Sequence, residues 1–278
     1  MSKPYKTVSV CGCGWLGLAL AENLANNGFD VTGSKRTDIA AAALSEYGIQ
    51  GVVYDIYDEN AQDEKAALFS NDVFVANIPP GRRTFERETF VTAMKNLVDR
   101  AKAGGTKQFV FISTTSVYGG AKGEIVESTV CEPDTESGKA HNEIERYVLT
   151  QFPEGGVVLR FSGLVGDTRH PAKHMAGRAG IAGGKDPVNL IHREDCIQAI
   201  SAIIHQQCGG ETFHLSAFEH PSRSEFYRWA AGAMGLVEPE FIEDGGEGKW
   251  ISPDYTVKHL GLRLRYPSPY DMPLPELG

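Results

Sequence analysis

Apolar and polar positions along the first 165 residues switch between a period of two and a period of about 3.6, which predicts alternating strands and helices. Thr7–Cys11 is a short apolar run and reads as a buried strand. Leu16, Leu20 and Leu24 then line one stripe of a helix over Leu16–Asn27, which Gly28 ends as a C-cap. Phe29–Gly33 predicts the second strand, and Asp38 stands ready to cap a helix over Ile39–Tyr47, stopped by Gly48. Further strands are predicted at Gly51–Tyr54, Asp72–Asn77, Gln108–Ser113 and Val157–Phe161. A long amphipathic helix is predicted over Thr84–Lys102, after the break at Pro79–Pro80–Gly81. Another covers Glu143–Gln151 and starts near Gly138.

Right-handed crossovers between such units give an α/β fold with a doubly wound parallel sheet of the Rossmann type. After Gly166 the pattern loosens. Residues 167–187 hold Gly177, Gly180, Gly183 and Gly184 and read as a loop-rich substrate lobe. Val188–Gln206 returns to strand then helix, Thr212–Ser216 is a strand, and a helix near Arg223–Met234 precedes a Pro-rich tail. The expected organisation is a dinucleotide-binding domain over 1–165 and a smaller carboxyl-terminal lobe over 166–278, with 188–216 returning to the main sheet.

Composition narrows the partners. The 278 residues are 41% hydrophobic and 23% charged, an ordinary globular balance. A net charge of -9 argues against broad contact with nucleic acid, so any cation facing an anion must be local. No run of about eighteen apolar residues exists to span a membrane. Lys3 and Lys6 ahead of an apolar stretch imitate a signal peptide, but glycines at fixed spacing fit strand, loop and helix better. Five scattered cysteines (Cys11, Cys13, Cys131, Cys196, Cys208) read as reduced thiols of a cytoplasmic protein. Cys11 and Cys13 lack a second ligand pair. His170 and His174 lack a carboxylate and have Pro171 between them, so no metal is expected.

The strongest chemical signal is VSVCGCGWLGLALAENL, which sets Gly12, Gly14 and Gly17 in a G-x-G-x-x-G pattern between a strand and a helix. Gly12 permits the tight turn, Gly14 lets main chain approach a pyrophosphate, and Gly17 lets the helix pack on the strand. Trp15 and Leu16 open the helix, whose N-terminus presents N–H groups and partial positive charge to the anion. At the end of the second strand an NAD user normally carries Asp or Glu for the ribose hydroxyl. Here the residues are Ser34, Lys35 and Arg36, a hydroxyl and two cations that suit a 2′-phosphate, so NADP(H) is expected over NAD(H). A solvated basic turn is the alternative. Asp55 after the third strand could accept a bond from an adenine amino group. Ile78, Pro79 and Pro80 follow the fourth strand where a ribose would lie. A turn aspartate and a proline stop explain the same residues.

With the fifth strand, FVFISTTSVYGG resembles the extended short-chain dehydrogenases/reductases, the group that holds nucleotide-sugar epimerases and dehydratases. LRFSGLVGDTRHP and VNLIHREDCIQAI are similar to later segments of that group. The combination of GCGWLG, IPP and R-x-EFY is similar to an atypical branch, the YeeZ-like proteins. The resemblance implies a Ser/Thr hydroxyl on the substrate oxygen, matched by Thr114, together with a Tyr-x-x-x-Lys pair in which Lys lowers the pKa of the Tyr base. That pair is missing: alignment places Ser137 on the Tyr and His141 on the Lys. A serine hydroxyl ionises far above a phenol, and a neutral imidazole supplies no fixed charge. Tyr118 at the cleft mouth, His141 or Lys139 could substitute. Tyr118 as a packing residue with its hydroxyl on main chain, and His141 as an exposed helix residue, are the plainer readings.

Two functions follow as expectations. One is an oxidoreductase, epimerase or dehydratase acting on a small hydroxylated, sugar-like substrate. The other is a catalytically inactive protein that senses NADP(H). Arg160 and Arg169 are expected to flank the substrate mouth, with Arg169–His170 on an anionic or sugar-like group unless a loop ion pair engages them. His192 and Asp195 begin a helix, where Asp195 serves the helix start. The apolar faces of Thr84–Lys102 and Glu143–Gln151 could build a homodimer, although core packing explains them equally.

Overall fold

A computed structural model of the chain describes residues 4–58, 66–81 and 85–275. The strands in chain order are β1 (Thr7–Cys11), β2 (Asp30–Lys35), β3 (Gln50–Val53), β4 (Val73–Ala76), β5 (Gln108–Thr114), β6 (Gly123–Ile125), β7 (Gly156–Phe161), β8 (Gly163–Val165), β9 (Leu190–His192), β10 (Glu211–Leu215) and β11 (Lys249–Ile251). The helices are α1 (Trp15–Asn26), α2 (Asp38–Ala42), α3 (Ala66–Phe69), α4 (Arg87–Ala103), α5 (Glu136–Gln151), α6 (Ala172–Met175), α7 (Arg193–Gln206), α8 (Arg223–Ala233) and α9 (Asp254–Leu260).

Seven strands form one parallel sheet in the order β10-β7-β5-β4-β1-β2-β3. β1 lies between β2 and β4, with Val8 opposite both Val31 and Val73. Strand order reverses there, and in open α/β sheets that switch point opens a crevice beyond the carboxyl ends of the strands. Two short parallel pairs, β6 with β11 and β8 with β9, stand as sheets of their own. Of the segment 188–216, only β10 joins the main sheet, because β9 pairs with β8 instead.

The chain resolves into two compact units that interleave in sequence. One comprises 1–117, 133–160 and 199–213, the other 118–132, 161–198 and 214–278. This partition differs from a single cut at 165. The first unit is built on a core of sheet aromatics, Phe74, Phe109 and Phe111, packed against Phe90, Met94 and Leu97 of α4 and Ile144 and Val148 of α5. The apolar faces that suggested a two-fold interface therefore pack inside the subunit. Lys95 to Glu143 (2.7 Å) and Tyr147 to Asp99 (2.7 Å) join the same two helices at the surface. The second unit gathers Val165, Val188, Leu190, Ala217, Phe226 and Met272. Asp195 stands in the first turn of α7, as expected, and is also buried and accepts main-chain N–H bonds from Arg265 (2.6 Å) and Tyr266 (3.3 Å), which hold the tail.

Element boundaries differ where side chains, not periodicity, decide them. Thr37 caps α2 by accepting the Ala40 N–H at 3.4 Å, so Asp38 is already inside the helix, and a 3-10 turn continues to Tyr47. Thr135 caps α5 through the Gly138 N–H at 3.1 Å, so the helix begins at Glu136, two residues before the start expected near Gly138. Its first turns, ESGKAHN, carry no apolar stripe to reveal them. Helix α4 starts at Arg87, and Thr84, the predicted start, lies outside the described residues. No helix among the described residues is long and apolar enough to cross a membrane.

Candidate functional site

The turn from β1 into α1 is a cradle of main chain. Gly12 takes φ +99°, and a Cβ there would lie 2.4 Å from the Asn77 carbonyl oxygen. A Cβ on Gly17 would lie 2.2 Å from the Gly12 oxygen, so neither position admits a side chain. Gly14 is different: a Cβ there meets no protein atom within 4 Å. Gly14 is also the N-cap of α1, and no side chain caps that helix and no acid stands in its first turn. Trp15 and Leu16 thus begin a helix whose positive end faces open space. Such an end accommodates a diphosphate through N–H groups and the helix dipole.

Two residues hold this loop from outside the motif. Asn77, after β4, donates from Nδ2 to the Gly12 oxygen at 3.1 Å. Ser34, on β2, accepts the Gly12 N–H at 2.9 Å through Oγ and is buried. The hydroxyl assigned to a 2′-phosphate therefore turns inward and fixes the glycine turn, a correction to the sequence reading. Lys35 is half-buried and Arg36 exposed. Among the described residues neither has an ion-pair or side-chain hydrogen-bond partner. Cations without a carboxylate therefore end β2. Burial pushes the Cys11 thiol up to about 12 and that of Cys13 to about 11, so both stay protonated at neutral pH. No cluster of metal-ligating side chains stands among the described residues.

Asp55 accepts the Tyr57 N–H at 3.0 Å and so closes a turn after β3. Ile78 supplies an apolar wall near Gly12 and packs on the core, Pro79 is exposed and Pro80 half-buried. Asn77 was missed by sequence reasoning. Its signal was slight, a lone amide closing the apolar run VFVA.

The region expected to hold catalytic groups is arranged otherwise. Thr114 ends β5, half-buried, and its hydroxyl accepts the Ser116 N–H at 3.1 Å and lies 3.0 Å from Ser116 Oγ. Ser137 sits in the first turn of α5, and its carbonyl faces His141 Nδ1 at 2.8 Å. A carbonyl only accepts, so Nδ1 carries the proton. His141 is buried, contrary to an exposed helix position, with Phe111 and Phe90 rings 5.8 and 6.1 Å away. Burial lowers its pKa and keeps the ring neutral. Lys139 bonds the Glu136 carboxylate at 2.7 Å on the surface. The structure thus brings Ser137 and His141 together through main chain and supplies no fixed cation at the lysine position.

Tyr118 is fully buried, not at a cleft mouth. Its hydroxyl donates to His214 Nδ1 at 2.8 Å. That direction follows from the other ring nitrogen, which faces the Ser252 carbonyl at 2.6 Å and Glu127 Oε1 at 3.5 Å and so bears the hydrogen. Thr256 donates to the same Glu127 oxygen at 2.6 Å. His214 stands 96 positions from Tyr118, and no local pattern announces it.

The arginines separate too. Arg160 is buried and bonds Glu145 through Nε (3.0 Å) and Nη2 (2.6 Å), with Ser113 donating to the same carboxylate at 2.5 Å. It is an internal ion pair, not a substrate contact. Arg169 is exposed in a tight turn with Gly166. His170 is buried beside it, accepts the Ala172 N–H at 3.2 Å, and falls to a pKa of about 4 through burial and then the Lys173 charge. It therefore offers no positive charge to an anion at neutral pH. His192 likewise accepts the Glu194 N–H at 3.3 Å at the start of α7.

Comparison with known proteins gives the family and the fold. The sequence profile of the NAD dependent epimerase/dehydratase family matches residues 8–215. Protein YeeZ of Escherichia coli (strain K12) is 37% identical over 274 residues, covering 97% of this chain and 99% of that protein. Among solved structures, UDP-glucuronic acid 4-epimerase from Bacillus cereus in complex with NAD has a TM-score of 0.77 at 18% identity, covering 94% of this chain and 92% of that one. The dTDP-glucose 4,6-dehydratase from Bacillus anthracis in complex with NAD has a TM-score of 0.76 at 16% identity, covering 94% and 92%. At these identities the two structures establish a shared fold.

Proposed function

The chain belongs to the NAD dependent epimerase/dehydratase family, and on that premise we propose that it binds NADP(H) and acts on a small hydroxylated, sugar-like substrate as an oxidoreductase, epimerase or dehydratase. The observation that carries the reading is the open, uncapped start of α1 at Gly14, together with Lys35 and Arg36 where a carboxylate would select NAD. The main chain of Gly12–Gly17 would hold the diphosphate, Lys35 and Arg36 the 2′-phosphate, and Asp55, Ile78, Pro79 and Pro80 would border the adenosine. When bound, the dinucleotide supplies hydride transfer at its nicotinamide ring.

What the chain itself contributes is orientation and proton handling. Thr114, half-buried at the end of β5, can share a hydrogen bond with a substrate oxygen while Ser116 fixes its rotamer. His141 keeps Nδ1–H on the Ser137 carbonyl, which leaves Nε2 as the basic nitrogen. A positioned proton-transfer group contributes about 10²–10⁴ in rate. Thiols at all five cysteines fit a reducing, cytoplasmic setting.

A second reading, an NADP(H) sensor without turnover, is favoured by the loss of the Tyr/Lys pair and by the engagement of Lys139 with Glu136. The two separate in one experiment. Reduced-nicotinamide absorbance is followed with the full chain and a panel of sugar-derived carbonyls. Consumption that His141→Phe slows by about 10² or more supports the enzyme. Tight binding with no consumption across the panel supports the sensor.

A further inference from the structure

Two aromatic rings lie side by side at the surface of the second unit. Helix α8 opens at its Ser222 cap and carries Glu225, Phe226 and Trp229, with Glu225 and Trp229 four apart on one face. A helical side chain leans toward the N-terminus, which brings the Trp229 ring toward the turn of Glu225. The 3-10 turn Pro269–Asp271 sets the Tyr270 ring against it, 4.8 Å between centroids and nearly perpendicular at 81°. Phe226 is fully buried and touches both, 5.8 Å from Trp229 and 5.6 Å from Tyr270. The outer rings remain 39% and 37% exposed. Such exposure is ordinary for a single ring, but a pair seated on a buried third is a rigid apolar ledge.

Two exposed carboxylates border this ledge. Ser222 donates to Glu225 Oε2 at 2.6 Å, and Ser268 donates to Glu219 Oε2 at 2.6 Å, so a neutral hydroxyl fixes each acid in place. Neither acid has an ion-pair partner among the described residues. Burial, and then the charges of Glu225 and Glu219, raise the Tyr270 pKa, so both acids lie near a phenol that stays protonated. The arginines of α8 are engaged elsewhere. Arg223 donates to the Ala182 carbonyl at 2.8 Å and covers the Phe241 ring at 5.5 Å, and Arg228 pairs with Glu243 at 3.1 Å. His220, next to Glu219 in the chain, is kept neutral by burial. Other rings of this chain do carry a cation, as where Arg100 covers Phe69 at 4.3 Å and Arg265 covers Tyr266 at 5.6 Å. Among the described residues, Trp229 and Tyr270 carry none.

We propose that this ledge docks an arginine-bearing segment of a partner protein. A guanidinium lies flat on a ring while its N–H groups reach a carboxylate at the ring edge, a combination that a compact ammonium does not match. Trp, Tyr and Arg are also the residues that dominate binding energy at protein interfaces. Magnitude decides between a free cation and a polypeptide. One exposed cation–π contact or one exposed ion pair changes affinity only about two- to fivefold. A small ion gains a single such contact, whereas a polypeptide brings several guanidinium groups and apolar stems to two rings and two acids at once. A second copy of this chain, at a net charge of -9, is the poorer electrostatic match.

The assignment is independent of the dinucleotide and of any substrate, and its test uses neither. In a Trp15→Phe, Trp250→Phe background of the full chain, Trp229 is the only remaining tryptophan. Its emission is titrated at low salt with octapeptides that alternate glycine with arginine, with lysine or with glutamate, and with spermidine. The expected result is a saturable response that is tightest for the arginine peptide and absent for the glutamate peptide. Glu219→Gln combined with Glu225→Gln should weaken it by about tenfold, and Tyr270→Leu by about two- to fivefold, with the circular dichroism spectrum unchanged. Asp30→Asn with Glu46→Gln removes the same charge from exposed positions of the first unit and should leave the response unaltered. Several results overturn the assignment: no response to the arginine peptide, lysine peptide or spermidine binding as tightly, or the first-unit control costing as much as the Glu219 and Glu225 pair. So does a concentration-dependent dimer in sedimentation that the Glu219 and Glu225 variant dissolves, because a second copy would then occupy the ledge.

Discussion

The loop between β1 and α1 and the start of α5 both lie in the first unit, and their sequences invite opposite expectations of order. The glycine loop has almost no side chains, yet every close approach in it is fixed: Asn77 and Ser34 clamp the Gly12 main chain, and Gly17 presses on the Gly12 oxygen. The start of α5 is rich in chemically capable side chains, yet they are turned on one another. Lys139 pairs with Glu136, His141 with the Ser137 carbonyl, and Glu145 with Arg160 and Ser113. Open polar capacity marks a place for a ligand, and satisfied polar groups mark structure, whatever the residue types suggest.

Four substitutions would break or sharpen that contrast. The largest effect belongs to Arg160→Ala, which strands the buried Glu145 carboxylate and should lower stability by about 3–5 kcal/mol in chemical denaturation. A change below 1 kcal/mol would mean that Glu145 finds water or a proton, and that α5 is less committed to structure than its contacts indicate. Next is Gly17→Ala, whose Cβ cannot coexist with the Gly12 oxygen. A loss of about 1–3 kcal/mol is expected, together with loss of dinucleotide binding. Gly14→Ala should leave stability within about 1 kcal/mol, since its Cβ meets nothing in the protein, while weakening dinucleotide at least about tenfold. Unchanged dinucleotide affinity in that variant would remove the ligand from the cradle.

The smallest effect is in pH dependence. Burial holds His141 and His170 neutral in the fold, the latter with a pKa of about 4. The unfolded chain takes up their protons near 6.5, so stability is full above that pH and declines as pH falls toward 4. Replacing His170 with Phe should flatten this slope by up to one proton, and His141→Phe should flatten it less. A slope that neither substitution alters would show that these rings are not held neutral.

Spacing along the chain revealed the glycine loop and the sheet around it, because a tight turn, an open N-cap and a close helix contact occur in fixed order over six residues. Pairings between distant positions leave no such trace. Asn77 reaches Gly12 across 65 positions and His214 reaches Tyr118 across 96. Ser34 shows the finer limit. Its residue type was read correctly as a hydrogen-bonding group at the end of β2, but strand alternation alone did not say that Oγ faces the loop while Lys35 and Arg36 face outward. Thr37 and Asp38 are both good caps, and only the observed bond to Ala40 distinguishes them.

The central claim is that a cradle of main chain and a pair of cations beside it select the phosphorylated dinucleotide. Calorimetric titration of the full chain and of Arg36→Ala with NADPH and with NADH tests it most directly. Removing a charge-assisted contact to a doubly charged phosphate should weaken NADPH by at least about tenfold and leave NADH nearly unchanged. Equal weakening of both, a native preference for NADH, or heat from neither would contradict it.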